Sequence, residues 1–289
     1  MNHRHSLSRR RLLALGGLAG AGLTTGCAGM GRRSPALGDT AAGRRVPDAS
    51  GEWWLPTADG PRPTVVLVHG GYWQPGYDRH LEDRLAADLR GRGYLVWNID
   101  YRPASAGWPQ TLLSAGAAYD DLLTGRYADR VDRHRVAVVG HSAGGQLALW
   151  LASRHRLPRG APGAPKGQWL RPSLVVGQAA VAALIPAARE QLGGGAVAEL
   201  CGGSPTSRPE RYAVADPVEL APASGPAVLI HGRADDVVPL SQSTAYERAA
   251  RATGAPIELH VVPGGHFEHL DPGSVACHVL RRTLTQHLR

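Results

Sequence analysis

The chain has 289 residues, of which 43% are hydrophobic and 19% are charged, so it is long enough for one large α/β domain or at most two small ones. Its formal net charge is +8, but residues 1–26 contain four arginines and no acidic residue. Because no stripe of Lys and Arg is interleaved with aromatic residues, we predict no nucleic-acid partner.

The first 27 residues predict an export signal rather than a part of the fold. The segment 8–13, SRRRLL, resembles a twin-arginine motif. The apolar stretch that follows is short and interrupted by glycines, so it does not predict a transmembrane helix. Cys27 follows a glycine, as in a lipobox. We therefore expect export by the twin-arginine route, with Cys27 as the candidate for lipid attachment to a membrane. A basic tail on a cytosolic chain is the alternative.

Two further cysteines, Cys201 and Cys277, follow Cys27. In an oxidising compartment they could pair, but sequence spacing does not show whether their Cα atoms come close enough. Two unpaired, buried thiols are the alternative. No Cys or His spacing matches a zinc site, and we expect neither a metal ion nor a cofactor.

The chain after the signal predicts a linker followed by one α/β domain. Residues 28–50 are rich in Gly, Ala, Arg and Pro without a period and predict a flexible linker, and the domain covers 51–289. Strands that are nearly continuous apolar runs alternate with helices, which predicts a mostly parallel central sheet with helices on both faces. The segment 179–222 breaks this alternation with many glycines and prolines and predicts a short cap or insertion. Strands are expected at 52–56, 64–68, 94–100, 136–139, 174–177, 227–230 and 257–262, and helices at 78–89, 109–123, 146–152, 241–252 and 274–288.

The motif Gly-His-Ser-Ala-Gly-Gly at 140–145 lies between a predicted strand and a predicted helix. A serine on a sharp strand-to-helix turn stands clear of the backbone, and the helix N-terminus directs partial positive charge towards it. The flanking glycines leave room for the turn. Ser142 is therefore the candidate nucleophile.

A serine nucleophile needs a base, which is itself oriented by an acid. Asp235 follows the predicted strand 227–230, and His266 follows the last predicted strand. Both positions lie at the carboxyl edge of a parallel sheet, where Ser142 also lies. The order Ser, Asp, His is the order of the α/β-hydrolase arrangement. Asp236 and His269 are the rival acid and base.

A fourth motif, His-Gly-Gly-Tyr-Trp at 69–73, also follows a strand. A glycine-rich turn lets backbone N–H groups approach a developing oxyanion. We assign this role to the N–H groups of Gly71, Tyr72 and Ala143, and we expect His69 to hold the loop rather than transfer protons. Side chains that are candidates for the substrate pocket are Tyr72, Trp73 and His141.

Together these residues resemble an α/β-hydrolase over residues 50 to 289. The motif at 69–73, the Tyr-Arg-Pro at 101–103 and the Gly-Gly-Ser-Pro at 202–205 are similar to the group that contains kynurenine formamidases and carboxylesterases. The His-Gly-x-x-Asp-x-x-Val-Pro motif at 231–239 is shared across that group.

The resemblance implies a serine hydrolase that cleaves carboxylic esters by a Ser-His-Asp triad through an acyl-enzyme intermediate, and the N-terminal signal predicts that this enzyme is exported. A kynurenine formamidase-like amide hydrolase, a small-peptide hydrolase and a non-catalytic binding protein on the same fold are the alternatives. Gly265 stands where formamidases often have Asp, and formamidases are usually cytoplasmic, so both features favour an esterase. The expected partner is a small ester or amide, and the sequence leaves the oligomeric state open.

Overall fold

The structure is a computed structural model that describes residues 43–288. The predicted export signal, Cys27 and the first part of the predicted linker lie outside the described residues, so export and lipid attachment stay predictions. Within residues 43–288, no helix is both long enough and apolar enough to cross a membrane.

Eight strands form one sheet in the order β1-β2-β4-β3-β5-β6-β7-β8. The pairs β1–β2 and β2–β4 are antiparallel, and the five remaining pairs are parallel, which confirms the predicted, mostly parallel sheet. The strands are β1 Arg44–Asp48, β2 Gly51–Leu55, β3 Arg62–Val68, β4 Leu95–Ile99, β5 Val131–His141, β6 Leu174–Gln178, β7 Ala227–Gly232 and β8 Ile257–Val262.

The central strands are largely apolar over their buried lengths because both faces of the sheet are covered. In β3, Val66 and Val68 pack into one hydrophobic core, whereas Val65 and Leu67 pack into the other core on the opposite face. This alternation follows from the two-residue period of a strand. Each face therefore buries a full set of branched side chains against helices.

The helices lie on both faces of the sheet, as predicted. Side chains of α1 and α8 contribute to one core, and side chains of α2, α3 and α7 contribute to the other. The helices are α1 Asp83–Gly91, α2 Gln110–Thr124, α3 Ala143–Ser153, α4 Leu184–Arg189, α5 Ala196–Cys201, α6 Pro209–Ala215, α7 Ser241–Arg251 and α8 Val275–His287.

Strand β1 lies inside the segment 28–50 that was predicted to be a linker, and this part of the prediction is wrong. β1 pairs with β2 and takes the edge position of the sheet. Its sequence, RRVPD, has three charged residues and a proline, so it lacks the apolar alternation that marks a strand. Side-chain contacts of Arg45 hold this polar strand on β2 instead. Its Nη2 lies 2.6 Å from Glu52 Oε2, and its guanidinium lies 4.0 Å from the Trp54 ring centroid.

The segment predicted as a cap or insertion, 179–222, contains α4, α5 and α6 between β6 and β7. Its buried anchor is Asp216, whose carboxylate accepts hydrogen bonds from Ile185 N at 2.9 Å and Val218 N at 3.0 Å. Burial, opposed by these backbone hydrogen bonds, raises the pKa of Asp216 to about 6. The carboxylate thereby ties the start of α4 to the end of α6, a role that the sequence analysis missed.

Cys201 and Cys277 are both free and buried, which matches the alternative of two unpaired thiols. Cys201 packs into the core on one face of the sheet, and Cys277 packs into the core on the other face. Burial raises the pKa of the Cys201 thiol to about 12 and that of the Cys277 thiol to about 11. Neither thiol is therefore an activated nucleophile at neutral pH.

Candidate active site

Ser142 occupies the sharp turn between β5 and α3, as the motif predicted. Its φ of 57° and ψ of −118° place a non-glycine residue in a strained region of backbone space. Three backbone contacts hold this conformation: Ser142 N donates to Gln178 O at 2.8 Å, and Ser142 O accepts from Gly145 N at 3.0 Å and from Val181 N at 3.2 Å. The end of β6, the segment after it and the start of α3 therefore hold the strained conformation.

The glycines around Ser142 are required by close packing. A Cβ on Gly140 would lie 2.0 Å from Gly144 O, and a Cβ on Gly144 would lie 2.0 Å from Val68 O. A Cβ on Gly145 would lie 2.6 Å from Ala180 Cβ. Because real Cβ atoms do not approach so closely, the serine turn can form only with glycine at these positions.

The predicted acid and base lie together at the carboxyl edge of the sheet. His266 Nδ1 is 2.8 Å from Asp235 Oδ2. Asp235 Oδ1 accepts hydrogen bonds from Val237 N at 3.0 Å and Val238 N at 2.8 Å. Burial acts to raise the pKa of Asp235, but the contact with His266 and the two backbone donors outweigh it and hold the pKa below its usual value. The carboxylate therefore stays ionised and accepts the Nδ1 proton, which leaves His266 Nε2 as the basic atom.

His231 also contacts Asp235, and no role was predicted for it from the sequence. Its Nε2 lies 2.9 Å from Val238 O and 3.4 Å from Asp235 Oδ2. A carbonyl oxygen only accepts, so Nε2 carries the proton and Nδ1 accepts from Ser243 Oγ at 2.8 Å. Burial lowers the pKa of His231 and keeps it neutral. Its position four residues before the acid was the available sequence signal.

The two rival residues lack the contacts of an acid and a base. Asp236 is exposed. His269 is fully buried, and neither of its ring nitrogens has a hydrogen-bond partner within residues 43–288. Burial, with the nearby His266, lowers the pKa of His269 to about 3. The geometry thus favours the pair Asp235 and His266, which was preferred from the sequence.

His141, the residue before the serine, contacts the loop that carries the predicted base, His266. Its Nε2 donates to His266 O at 2.9 Å, and the two ring centroids are 4.6 Å apart. Burial lowers the pKa of His141 well below its usual value, so the ring is neutral. This contact ties the His266 loop to the turn that carries Ser142. The predicted part of His141 in the substrate pocket stays a prediction.

The loop at 69–73 packs beside the serine. His69 Nδ1 donates to Gly70 O at 2.8 Å, and its ring stacks on Tyr101 with centroids 4.1 Å apart. The Tyr101 hydroxyl donates to His69 O at 2.9 Å. A Cβ on Gly70 would lie 3.1 Å from Ser142 Cβ, which shows how near the loop comes. His69 thus holds the loop by hydrogen bonds, as we expected.

A family model described as BD-FAE matches residues 53–249, which is more than half of the chain. The chain belongs to the BD-FAE family. This membership, the sheet and the site residues place it in the α/β-hydrolase superfamily, as the motifs indicated. No curated protein matches the chain in sequence.

Solved structures share the fold of this BD-FAE member at low sequence identity. A truncated carbohydrate esterase from gut microbiota superposes with a TM-score of 0.68 at 20% identity, covering 82% of this chain and 90% of that chain. An acetyl ester-xyloside bifunctional hydrolase from Caldicellulosiruptor lactoaceticus superposes with a TM-score of 0.67 at 22% identity, covering 82% of this chain and 86% of that chain. Esterase B from Lactobacillus rhamnosis superposes with a TM-score of 0.70 at 21% identity, covering 82% of this chain and 79% of that chain. These likenesses confirm the α/β-hydrolase fold.

The predicted oxyanion donors lie at strained or terminal backbone positions of the BD-FAE domain. Gly71 and Tyr72 have φ angles of 107° and 50°, and Trp73 follows with 55°. Positive φ at three consecutive residues turns this backbone away from the direction of β3. Ala143 is the first residue of α3, so its N–H has no acceptor within the helix. The assignment of Gly71, Tyr72 and Ala143 to an oxyanion hole stays a prediction.

Tyr72 and Trp73, both pocket candidates, connect the loop to its neighbours. The Tyr72 hydroxyl donates to Val237 O at 3.1 Å, which links the loop to the loop of the acid. Trp73 Nε1 donates to Gln146 Oε1 at 3.2 Å, and the ring is only 1% exposed. A Cβ on Gly193 would lie 2.6 Å from Tyr72 Cδ1, so the segment between β6 and β7 packs on this ring. Contact of either ring with substrate stays a prediction.

Histidines are frequent at this site, and most of them are used in hydrogen bonds. Among residues 43–288, no group of three or more His, Cys, Asp or Glu side chains is arranged to hold a metal ion. The histidines that form such bonds at this edge are His69, His141, His231 and His266.

Proposed function

We propose that this protein is a serine hydrolase that cleaves small carboxylic esters. The observation that carries the proposal is the 2.8 Å contact between His266 Nδ1 and Asp235 Oδ2, in a loop tied by His141 to the strained Ser142 turn. An ionised acid, a histidine whose Nε2 is left as the basic atom and a serine on a strained strand-to-helix turn are the parts that acyl transfer needs.

In the first half of the reaction, Ser142 Oγ attacks the ester carbonyl carbon while His266 Nε2 takes the hydroxyl proton. Asp235 keeps the imidazole in the tautomer that can accept this proton and stabilises the resulting cation. The N–H groups of Gly71, Tyr72 and Ala143 are the proposed donors to the oxyanion, and one such donor typically contributes about 3 kcal/mol to the transition state.

The tetrahedral intermediate then collapses. The bond to the alkoxy group breaks, and His266 gives its proton to the leaving alcohol, so Ser142 is left acylated. Water attacks the acyl carbon, His266 takes a proton from it, and a second collapse returns that proton to Ser142 Oγ and releases the carboxylic acid. Atoms and charges balance with no cofactor.

Esters are preferred over the other acyl substrates for two reasons. The similar structures are described as esterases or as an acetyl ester-xyloside hydrolase, and Gly265 stands where formamidases often have Asp. A formamidase is the second candidate because the motif at 69–73 is similar to that group.

Steady-state kinetics on the full chain test the proposal. We expect kcat/KM for p-nitrophenyl butyrate to exceed that for N-formyl-kynurenine by about a hundredfold, which is roughly 2.7 kcal/mol of transition-state discrimination. A hundredfold preference for the formamide would instead make the protein a formamidase.

The control is Ser142→Ala, which removes the nucleophile but leaves the fold of the turn. We expect this variant to lose turnover of both substrates. Turnover that survives in Ser142→Ala would show that the mechanism is wrong, whichever substrate the wild type prefers.

A further inference from the structure

A cavity of about 550 Å³ lies at the edge of the sheet opposite to Ser142. It lies where β3 and β4 begin and where α1 and α8 end, whereas Ser142 follows the carboxyl end of β5. Its volume falls in the range of roughly 300–1,000 Å³ that small-molecule sites have. The lining residues are Arg62, Pro63, Arg92, Gly93, Tyr94, Arg135, Arg281, Thr285 and Leu288.

Four arginines line this cavity, and their charge is only partly compensated. Arg92 makes two hydrogen bonds of 3.0 Å to Asp88, and Arg281 Nη1 lies 3.5 Å from the same carboxylate. Arg135 pairs with Asp132 at 2.6 Å. Three of the guanidinium groups therefore share only two carboxylates. A guanidinium stays charged at all accessible pH values, so positive charge is left over.

Arg62 is the unpaired member of the group. Within residues 43–288, its side chain has no hydrogen-bond or ion-pair partner, although its Nε is buried. A buried donor without a partner is destabilising unless a water, an ion or a ligand satisfies it. The half-buried Arg62 also stands beside three like charges, so the arrangement is explained best by an anionic ligand.

We propose that this cavity binds an organic molecule or head group that carries a phosphate or sulfate group. The planar fork of a guanidinium matches the oxygens of such an oxyanion and binds them in pairs. Arg62 and Arg281 come from different elements, β3 and α8, so the oxygens of one such anionic group can bind both guanidinium groups. The volume leaves room for an organic part beside Tyr94, Thr285 and Leu288.

The ligand would act apart from the ester chemistry because the cavity and Ser142 lie at opposite ends of the parallel strands. Binding would join the starts of β3, β4 and β5 to the end of α8. A ligand that binds only the folded state raises the stability by mass action, so we expect a higher melting temperature with unchanged ester turnover.

Isothermal titration of the full, unlipidated chain with pyrophosphate tests the proposal. We expect saturable one-to-one binding that is weakened at least tenfold in the double variant Arg62→Gln/Arg281→Gln. The matched control is Arg248→Gln, an exposed arginine of α7 outside the cavity, which should bind pyrophosphate as the wild type does. Equal binding by the double variant, or no saturable binding by the wild type, would overturn the proposal.

Two further measurements show whether a loss of binding comes from the site or from the fold, and where the phosphate group comes from. The single variant Arg62→Gln breaks no pairing in the fold, so it should keep the wild-type melting temperature without ligand but lose part of the increase that pyrophosphate produces. An equal increase in wild type and Arg62→Gln would count against the site.

Vesicles of phosphatidylcholine with 30% phosphatidylglycerol distinguish the source of the phosphate. Sedimentation with these vesicles that is lost in the double variant and competed by pyrophosphate would support a lipid head group, whereas binding of pyrophosphate alone would support a soluble phosphate. The ester assay is independent of all these readouts, so failure of this site and failure of the proposed hydrolase are distinguishable.

Discussion

Two buried side chains, Asp235 in the loop after β7 and Glu82 in the 3-10 turn before α1, both carry a carboxyl group. The surroundings of Asp235 stabilise the ionised form, whereas those of Glu82 stabilise the neutral form. The Asp235 carboxylate contacts two backbone N–H groups and His266, and its pKa lies below the usual value. Both oxygens of Glu82 are buried, and within residues 43–288 neither has a hydrogen-bond partner. Burial alone raises the pKa of Glu82 to about 8.

The difference shows that burial does not decide whether a carboxyl group is ionised; the supply of donors does. The loop after β7 turns the N–H groups of Val237 and Val238 towards Asp235, and these donors help to keep its carboxylate ionised. The turn that carries Glu82 supplies no donor, so this side chain is a neutral acid at neutral pH. The comparison predicts different consequences when each carboxyl group is replaced by an amide: a loss of rate at Asp235 and a gain of stability at Glu82.

The largest effect is expected for Asp235→Asn. An amide in place of the carboxylate stabilises the wrong tautomer of His266, so Nε2 no longer accepts the proton of Ser142. We expect kcat for p-nitrophenyl butyrate to fall by about 10⁴-fold, with the backbone hydrogen bonds to the side-chain oxygen retained. Steady-state kinetics measure kcat, and thermal unfolding checks that the variant is folded.

Asp236→Asn is the matched control, since this neighbouring carboxylate is exposed. It should keep kcat within about twofold. If Asp236→Asn lost activity and Asp235→Asn did not, the assignment of the acid would be reversed.

A smaller effect, on stability rather than on rate, is expected for Glu82→Gln. With a folded-state pKa of about 8 and an ordinary value of 4.5, the folded chain holds a proton between these pH values that the unfolded chain has lost. Stability therefore falls as pH rises through this window, by about 1.4 kcal/mol per pH unit. The amide cannot ionise, so the variant should gain about 3 kcal/mol relative to wild type between pH 4.5 and pH 7.

Urea unfolding of both proteins at several pH values measures this gain, and Glu190→Gln, at an exposed position, serves as the control. The control should follow the wild type at every pH. Parallel stability curves for wild type and Glu82→Gln would mean that Glu82 is ionised in the fold.

Much of the site was predictable because each part follows a strand. Parallel strands bring their carboxyl ends to one edge, so the motifs around Ser142, Asp235 and His266 could be assigned to one place without knowing the loops. The apolar runs likewise predicted a sheet covered on both faces.

Features without a local pattern were missed. β1 is polar and is held by pairing with β2 and by Arg45. His231 and Asp216 act through contacts that depend on how loops fold back. The arginine cavity assembles Arg62, Arg92, Arg135 and Arg281 from positions far apart in the chain, and only the three-dimensional arrangement shows that they line one space.

The most direct test of the central claim is covalent labelling of the full chain with a fluorophosphonate, followed by peptide mass spectrometry. We predict one label per chain, on Ser142, with labelling slowed strongly in Asp235→Asn and absent in Ser142→Ala. A folded wild-type protein that stays unlabelled, or that is labelled at another residue, would contradict the claim that Ser142 is an activated nucleophile.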